Sequence, residues 1–139
     1  MPYITWTSNY NIGISEIDAQ HKRLIEIIDE IYESVNSGKE KEVTHRIINE
    51  LIDYYITHFS VEERIMSEHG YVSYISHTKE HNDFKIVIEG YRKEIESGQL
   101  VVSMEMVKYL KEWFIKHILV SDKLIGVFLK RKGIKILEE

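Results

Sequence analysis

The chain has 139 residues, a formal net charge of −5 and 43% hydrophobic residues, which suffices for one domain with a core. The acidic balance argues against nucleic acid and anionic membranes as partners, because both attract basic surfaces. The absence of cysteine excludes disulfides, iron–sulfur clusters and thiol chemistry.

The first residues, MPYITWTSNYNIG, contain neither a basic leader nor a continuous apolar run. No later segment has an apolar stretch long enough to span a bilayer. We therefore expect a soluble, cytoplasmic protein without membrane insertion. The same residues, about 1–14, are expected to form an ordered N-terminal arm rather than a helix.

Four long periodic segments follow the arm, and most of the glycines fall between them. Ser15 is a plausible N-cap for the first segment, and the last begins after Ser103. We predict helices over about 16–37, 40–68, 73–96 and 104–132. Short loops between long amphipathic helices are typical of an up-down-up-down four-helix bundle. The expected fold class is therefore all-α, with one domain over 1–139.

Five of the seven histidines lie on the apolar stripes that should face the core of this bundle. Each predicted helix supplies at least one, and two helices also supply a carboxylate. The seven inward polar residues are His21, His58, Glu62, His77, His81, His117 and Asp122. His45 and His69 fall outside this pattern and are predicted to lie on the surface.

The spacing of these residues places most of them in pairs on one helix face. His58 and Glu62 are four residues apart, as are His77 and His81, so each pair stacks on a single face. Asp122 follows His117 by five residues, which would separate them by about 140° on a regular α-helix. Either the Asp122 side chain must therefore reach around the fourth helix, or this helix must be locally unwound, for example by a π-bulge.

A single buried histidine is usually a hydrogen-bonded core residue. Five histidines and two carboxylates converging from four helices are different, because mutual hydrogen bonds cannot satisfy them without large pKa shifts. Buried ionisable groups are tolerated when they coordinate a cation, so the pattern predicts a metal site.

Seven protein ligands are too many for one ion and suit two. We assign three histidines to one ion and two to the other, with both carboxylates and one solvent-derived oxygen bridging the pair. The three are His77, His81 and His117, and the two are His21 and His58. The first ion then has six ligands and the second five, which leaves one position open for a small molecule.

Four stretches of the chain resemble the hemerythrins, especially the single-domain bacteriohemerythrins of prokaryotes. They are WTSNYNIGISEIDAQHKRL (6–24), HFSVE (58–62), HTKEH (77–81) and HILVSD (117–122). Together they fill all seven positions of the family pattern H…HxxxE…HxxxH…HxxxxD. The resemblance implies a four-helix bundle with a non-haem centre of two iron ions (Fe2+/Fe3+), bridged by an oxo or hydroxo group, that binds O2 reversibly.

The resemblance also implies an apolar O2 pocket around the open position. Residues at −4, −3 and +1 from His117 correspond to family positions that line this pocket, and two apolar residues beside the other ligands complete it. The predicted lining is Trp113, Phe114, Ile118, Leu24 and Phe59; ordinary core packing would explain the same residues. Asp18 and Gln20 are candidates for orienting an imidazole, although Asp18 equally fits a capping box with Ser15.

The favoured function is a non-enzymatic one: an O2 carrier, store or delivery protein that acts as a monomer or small homo-oligomer. Its partners would be O2 and an electron donor or O2-consuming enzyme. The alternatives are a di-iron oxidoreductase and an O2, NO or redox sensor acting with a separate partner. A dinuclear zinc hydrolase fits the ligand types but lacks an obvious general base.

Overall fold

The computed structural model describes residues 4–133, which form a short 3-10 helix in the arm (Ser8–Tyr10) and four helical rods. The first three rods are α1 (Ser15–Asn36), α2 (Glu40–Glu68) and α3 (Tyr74–Glu96). The fourth is continuous but changes character along its length: α4 (Met104–Trp113), a π-helical segment (Phe114–Asp122) and α5 (Lys123–Arg131). No strand occurs among the described residues, and the all-α prediction is confirmed. Residues 1–3 of the predicted arm lie outside this range.

Consecutive rods pack side by side, α1 on α2 and α2 on α3, and α4 returns to contact α1. The connections between the rods are too short for a crossover, so neighbours run antiparallel. This is the predicted up-down-up-down bundle.

Helix ends fall within one or two residues of the predicted positions because local signals set them. Gly38 adopts a φ of +72°, which L side chains rarely adopt, and the Lys39 N–H then bonds back to the Ser34 carbonyl at 2.8 Å. The predicted N-cap at Ser15 is off by one residue, since Ile14 occupies that position. Ser103 does cap α4, and its hydroxyl accepts from the Met106 N–H at 3.4 Å.

The buried apolar residues form two separate clusters along the bundle. The large cluster fills the end that contains Leu24, Phe84 and Leu110. The small cluster fills the other end and consists of Ile12, Ile14, Ile17, Val61, Met66, Tyr71, Ile125 and Leu129. The buried histidines and carboxylates lie in sequence between members of the two clusters, so a polar layer crosses the bundle between them.

The arm closes the small-cluster end of the bundle. The Asp18 carboxylate accepts hydrogen bonds from the backbone N–H groups of Ile12, at 2.8 Å, and Gly13, at 3.3 Å. The arm also lies directly against α5, where a Cβ at Gly126 would overlap the carbonyl oxygen of Ile12. Asp18 therefore holds the arm, rather than orienting an imidazole.

Within residues 4–133, no helix combines the length and apolar character that crossing a membrane requires.

Replacing Gly126 with Ala should destabilise the fold by about 1–3 kcal/mol, because the new methyl group must displace the arm from α5. Gly90→Ala is the matched control: Gly90 is an exposed α3 residue with open space around its Cβ position, so alanine should stabilise by about 0.5–1 kcal/mol. Urea unfolding of both variants measures the difference. Equal effects of the two substitutions would contradict the close contact.

Candidate metal centre

All seven predicted ligands meet in the polar layer, and each is at most 3% exposed. Their donor atoms form two groups, and within each group the atoms lie within 4.8 Å of one another. One group is Glu62, His77, His81, His117 and Asp122, and the other is His21, His58, Glu62 and Asp122. His45 is exposed and His69 half-buried, and both lie outside the groups.

Glu62 divides its two oxygens between the groups. Its Oε1 atom lies 3.0 Å from Nε2 of both His77 and His81, whereas Oε2 lies 3.4 Å from Nε2 of His58. The carboxylate therefore presents one oxygen to the three-histidine group and the other to the two-histidine group.

Asp122 is divided in the same way. Its Oδ1 atom lies 3.0 Å from Nε2 of His77 and 2.9 Å from Nε2 of His117. Its Oδ2 atom lies 2.9 Å from Nε2 of His21 and 3.3 Å from Nε2 of His58. Two carboxylates with this division of oxygens have the geometry needed to bridge two cations.

The π-helical segment makes the position of Asp122 possible. It runs from Phe114 to Asp122 and so contains both His117 and Asp122. A π-helix bonds residues five apart, which brings side chains at that spacing onto one face. Of the two expected arrangements, the structure has the unwound helix.

Hydrogen bonds on the outer side of three imidazoles fix which nitrogen faces inward. Nδ1 of His58 bonds to Gln20 Oε1 at 2.8 Å and Nδ1 of His81 to Glu63 Oε2 at 2.9 Å. Nδ1 of His117 bonds to Glu80 Oε1 at 2.6 Å. These oxygens only accept, so each Nδ1 carries a proton and donates it. In a neutral ring, Nε2 then directs its lone pair into the centre, as a metal ligand requires.

The inward-facing atoms fit a cation better than they fit one another. Lone pairs of imidazole nitrogen and carboxylate oxygen cannot form a hydrogen bond without a shared proton. Glu62 Oε2, His117 Nε2 and Asp122 Oδ1 are buried and lack a hydrogen-bond partner of ordinary geometry. Orphaned polar atoms at this depth are costly, and coordination would satisfy all three.

Without a metal ion, the pKa values of the buried histidines are shifted in opposite directions. Burial lowers the pKa of His77, but the adjacent carboxylates of Asp122 and Glu62 outweigh it and raise that pKa to about 9. The pKa of His117 is raised by the same carboxylates against its burial, whereas burial prevails at His21 and lowers its pKa. The pKa of each carboxylate is lowered, since the surrounding histidines outweigh burial, so both remain charged.

Aromatic rings cover the three-histidine group. Trp113 stacks on His117 with ring centroids 4.0 Å apart and planes 10° from parallel, and Phe59 stacks on His81 at 3.8 Å and 5°. The Phe59 ring is thus closer to His81 than to His58, from which its centroid is 5.8 Å away.

The other predicted pocket residues are buried in the large cluster. Leu24 and Ile118 are fully buried there, and Phe114 meets the edge of Tyr10 with centroids 5.1 Å apart. Each packs in the core, and its contribution to a ligand pocket stays a prediction.

Three neighbours of the centre were not predicted from the sequence. Tyr54 lies one helical turn before His58 and stacks on it at 5.3 Å and 13°. Its spacing of four residues would have revealed it. Glu63 and Glu80 bond to imidazoles of other helices, so no spacing within one helix could identify them. Gln20 was predicted to orient an imidazole and does so at His58.

Sequence comparisons match this chain to the hemerythrins. The family model described as the hemerythrin HHE cation binding domain matches residues 12–128. A protein named bacteriohemerythrin from Pseudomonas aeruginosa (strain LESB58) is 34% identical over 122 residues, 88% of this chain and 78% of the relative. The bacteriohemerythrin of Methylococcus capsulatus (strain Bath) is 28% identical over 127 residues, 91% of this chain and 96% of the relative.

Solved hemerythrin structures have the same fold. A wild-type hemerythrin crystal structure superimposes with a TM-score of 0.82 and 27% identity, over 90% of this chain and 96% of that one. The crystal structure of a hemerythrin point mutant gives 0.83 and 27%, over 91% of this chain and 97% of that one.

Removing a ligand should deplete the centre of metal. We expect Glu62→Ala and His77→Ala each to bind less metal than the unaltered chain. Their metal affinity should fall by more than the roughly 10–100-fold that is typical when an outer partner of a ligand is lost. His45→Ala, an exposed histidine on the same helix as Glu62, is the control and should load fully. Iron content by elemental analysis, with circular dichroism to verify folding, measures the effect. Two irons per chain in both ligand variants would contradict the site.

Proposed function

This chain belongs to the hemerythrin family, and we propose that it binds O2 reversibly, as a carrier, store or delivery protein, at two iron ions held by the seven buried donors. The observation that carries the proposal is the division of carboxylate oxygens, one from Glu62 and one from Asp122 to each histidine group. A centre for one ion would have no use for that division.

In this proposal His77, His81 and His117 bind one iron, and His21 and His58 bind the other. Glu62 and Asp122 would each hold both ions, and an oxo or hydroxo group would complete the set. Counting these ligands leaves one position open on the iron with two histidines, which is where O2 would bind. The irons would supply the electrons for O2 binding, one from each ion.

The protein would contribute rigid placement of the imidazoles. Gln20, Glu63 and Glu80 hold three of the rings by their outer nitrogens, so each Nε2 faces inward before metal arrives. Partners of this kind also raise the basicity of the ligating nitrogen. Ser121 supports the arrangement by donating its hydroxyl to Glu80 at 2.9 Å.

The donor set favours binding over oxidation chemistry. It contains five imidazoles, which bind a metal ion in their neutral form, and two carboxylates, whereas carboxylate-rich shells stabilise the higher oxidation states used in O2 activation. Apolar side chains around the centre lower the local dielectric, which penalises the release of a charged species. Both features support a protein that returns O2 unchanged, without turnover.

Anaerobically reduced protein with two irons per chain should develop a charge-transfer band in the visible spectrum when air is admitted. The band should disappear under argon and return on re-oxygenation over repeated cycles. Visible absorption at known iron content measures this. Immediate and irreversible conversion to the oxidised form would contradict reversible binding and favour an oxidoreductase or redox sensor.

Trp113→Ala should keep both irons and accelerate autoxidation by roughly an order of magnitude, the effect of about 1.4 kcal/mol on a barrier. The indole covers His117 and borders a surface groove of about 420 Å³, so its removal admits water to the centre. Trp6→Ala is the control, because Trp6 packs on Tyr10 in the arm. Decay of the oxygenated spectrum measures the autoxidation rates. Equal rates in the Trp113→Ala and Trp6→Ala variants would show that Trp113 does not shield the centre.

A further inference from the structure

The hydroxyl group of Tyr54 is buried beside the centre. It makes no hydrogen bond of ordinary geometry, and it is not one of the seven donors. Tyr54 is 5% exposed, and its ring lies parallel to His58 with centroids 5.3 Å apart. The hydroxyl oxygen is buried and lacks a hydrogen-bond partner of ordinary geometry. A phenylalanine would fill the same space without an unpaired polar group, so packing does not explain the hydroxyl.

The Trp113 indole, which lies beside the Tyr54 hydroxyl, cannot accept the proton of that hydroxyl. Burial and the charges of Asp122 and Glu62 raise the pKa of Tyr54, and the indole N–H of Trp113, directed at the phenol oxygen, opposes them. The contact between the indole and the phenol falls short of ordinary hydrogen-bond geometry. An indole N–H donates and never accepts. The proton of the tyrosine hydroxyl therefore remains available to an acceptor that comes from outside the chain.

The position of Tyr54 indicates where that acceptor would lie. Its ring stacks on His58, which belongs to the two-histidine group, whereas Trp113 stacks on His117 of the three-histidine group. The phenol ring thus lies against the two-histidine group and the indole ring against the three-histidine group. A ligand on the two-histidine ion would be next to the tyrosine.

We propose that Tyr54 donates a hydrogen bond to the ligand bound at the two-histidine ion. It thereby selects small ligands whose outer atom carries negative charge over neutral ones of the same size. The inference rests on the proposed function, because it needs an open position on that ion. Tyr54 is a specificity-determining residue in this scheme, and it is not a metal ligand.

Tyr55 provides a matched control on the same helix. Its hydroxyl donates to Glu89 Oε2 at 2.7 Å, away from the donor groups. Tyr54→Phe and Tyr55→Phe each remove one hydroxyl and keep the ring, so the two variants differ in what the hydroxyl faces.

The test uses azide, an anion of suitable size, with the oxidised iron-loaded protein. Tyr54→Phe should keep two irons per chain and weaken azide binding by about tenfold or more, the effect of losing one hydrogen bond to a charged group. Tyr55→Phe should bind azide as the original chain does. Titrations followed in the visible spectrum give the affinities. Unchanged affinity in fully loaded Tyr54→Phe would overturn the proposal.

Unfolding of the metal-free variants separates this role from a structural one. Because the Tyr54 hydroxyl has no hydrogen-bond partner of ordinary geometry, its removal should leave the free energy of unfolding unchanged or increased. Tyr55→Phe should lose some stability, since its hydrogen bond to Glu89 is lost. A clear loss of stability in metal-free Tyr54→Phe would show that the fold uses the hydroxyl and would overturn the proposal.

Infrared spectra of azide bound to the unaltered protein give a test that needs no variant. The azide stretch should shift between H2O and D2O if an exchangeable proton bonds to it, and an absent shift would overturn the role of Tyr54. Failure of the proposed function looks different: the loaded, unaltered protein would then bind neither azide nor O2. In that case the tyrosine proposal falls with it.

Discussion

The structure depends on one electrostatic constraint, the burial of two carboxylates between four helices. Glu62 and Asp122 are both fully buried, and they repel each other. A buried anion is tolerated only when cations or donors surround it closely. Every rod of the bundle therefore contributes an imidazole to this layer, and three of those imidazoles are held from behind by Gln20, Glu63 and Glu80. A bound metal ion would replace the proton-dependent contacts between the imidazoles and the carboxylates with coordination bonds.

The same constraint shapes the core around it. The polar layer divides the apolar residues into a large and a small cluster, and the arm is needed to complete the small one. Asp18 and the close approach at Gly126 hold that arm in place. On the other side, Trp113 and Phe59 lie flat on His117 and His81, so the rings that fill the core also limit the motion of the ligands.

Much of the site could be predicted from the sequence, because the helical period determines which ligands share a helix face. The pairs His58–Glu62 and His77–His81 follow from a spacing of four, and the anomalous spacing of His117 and Asp122 indicated the unwound segment as one of two alternatives. Contacts between helices are different, since they depend on how the rods are rotated against each other. Glu80 reaches His117 and Glu63 reaches His81 in ways that no periodicity encodes.

The π-helical segment makes the fourth rod unusually intolerant of changes in length. Each residue turns a regular α-helix by about 100°, so the segment shifts the phase of everything that follows it. Ile125 and Leu129 reach the small cluster only after that shift. Loss of a single codon between Phe114 and Asp122 would let the rod relax to a regular helix, and would rotate either the metal donors or the apolar face of α5 away from the core. In this segment we therefore expect the loss of one residue to be as damaging as the substitution of a ligand.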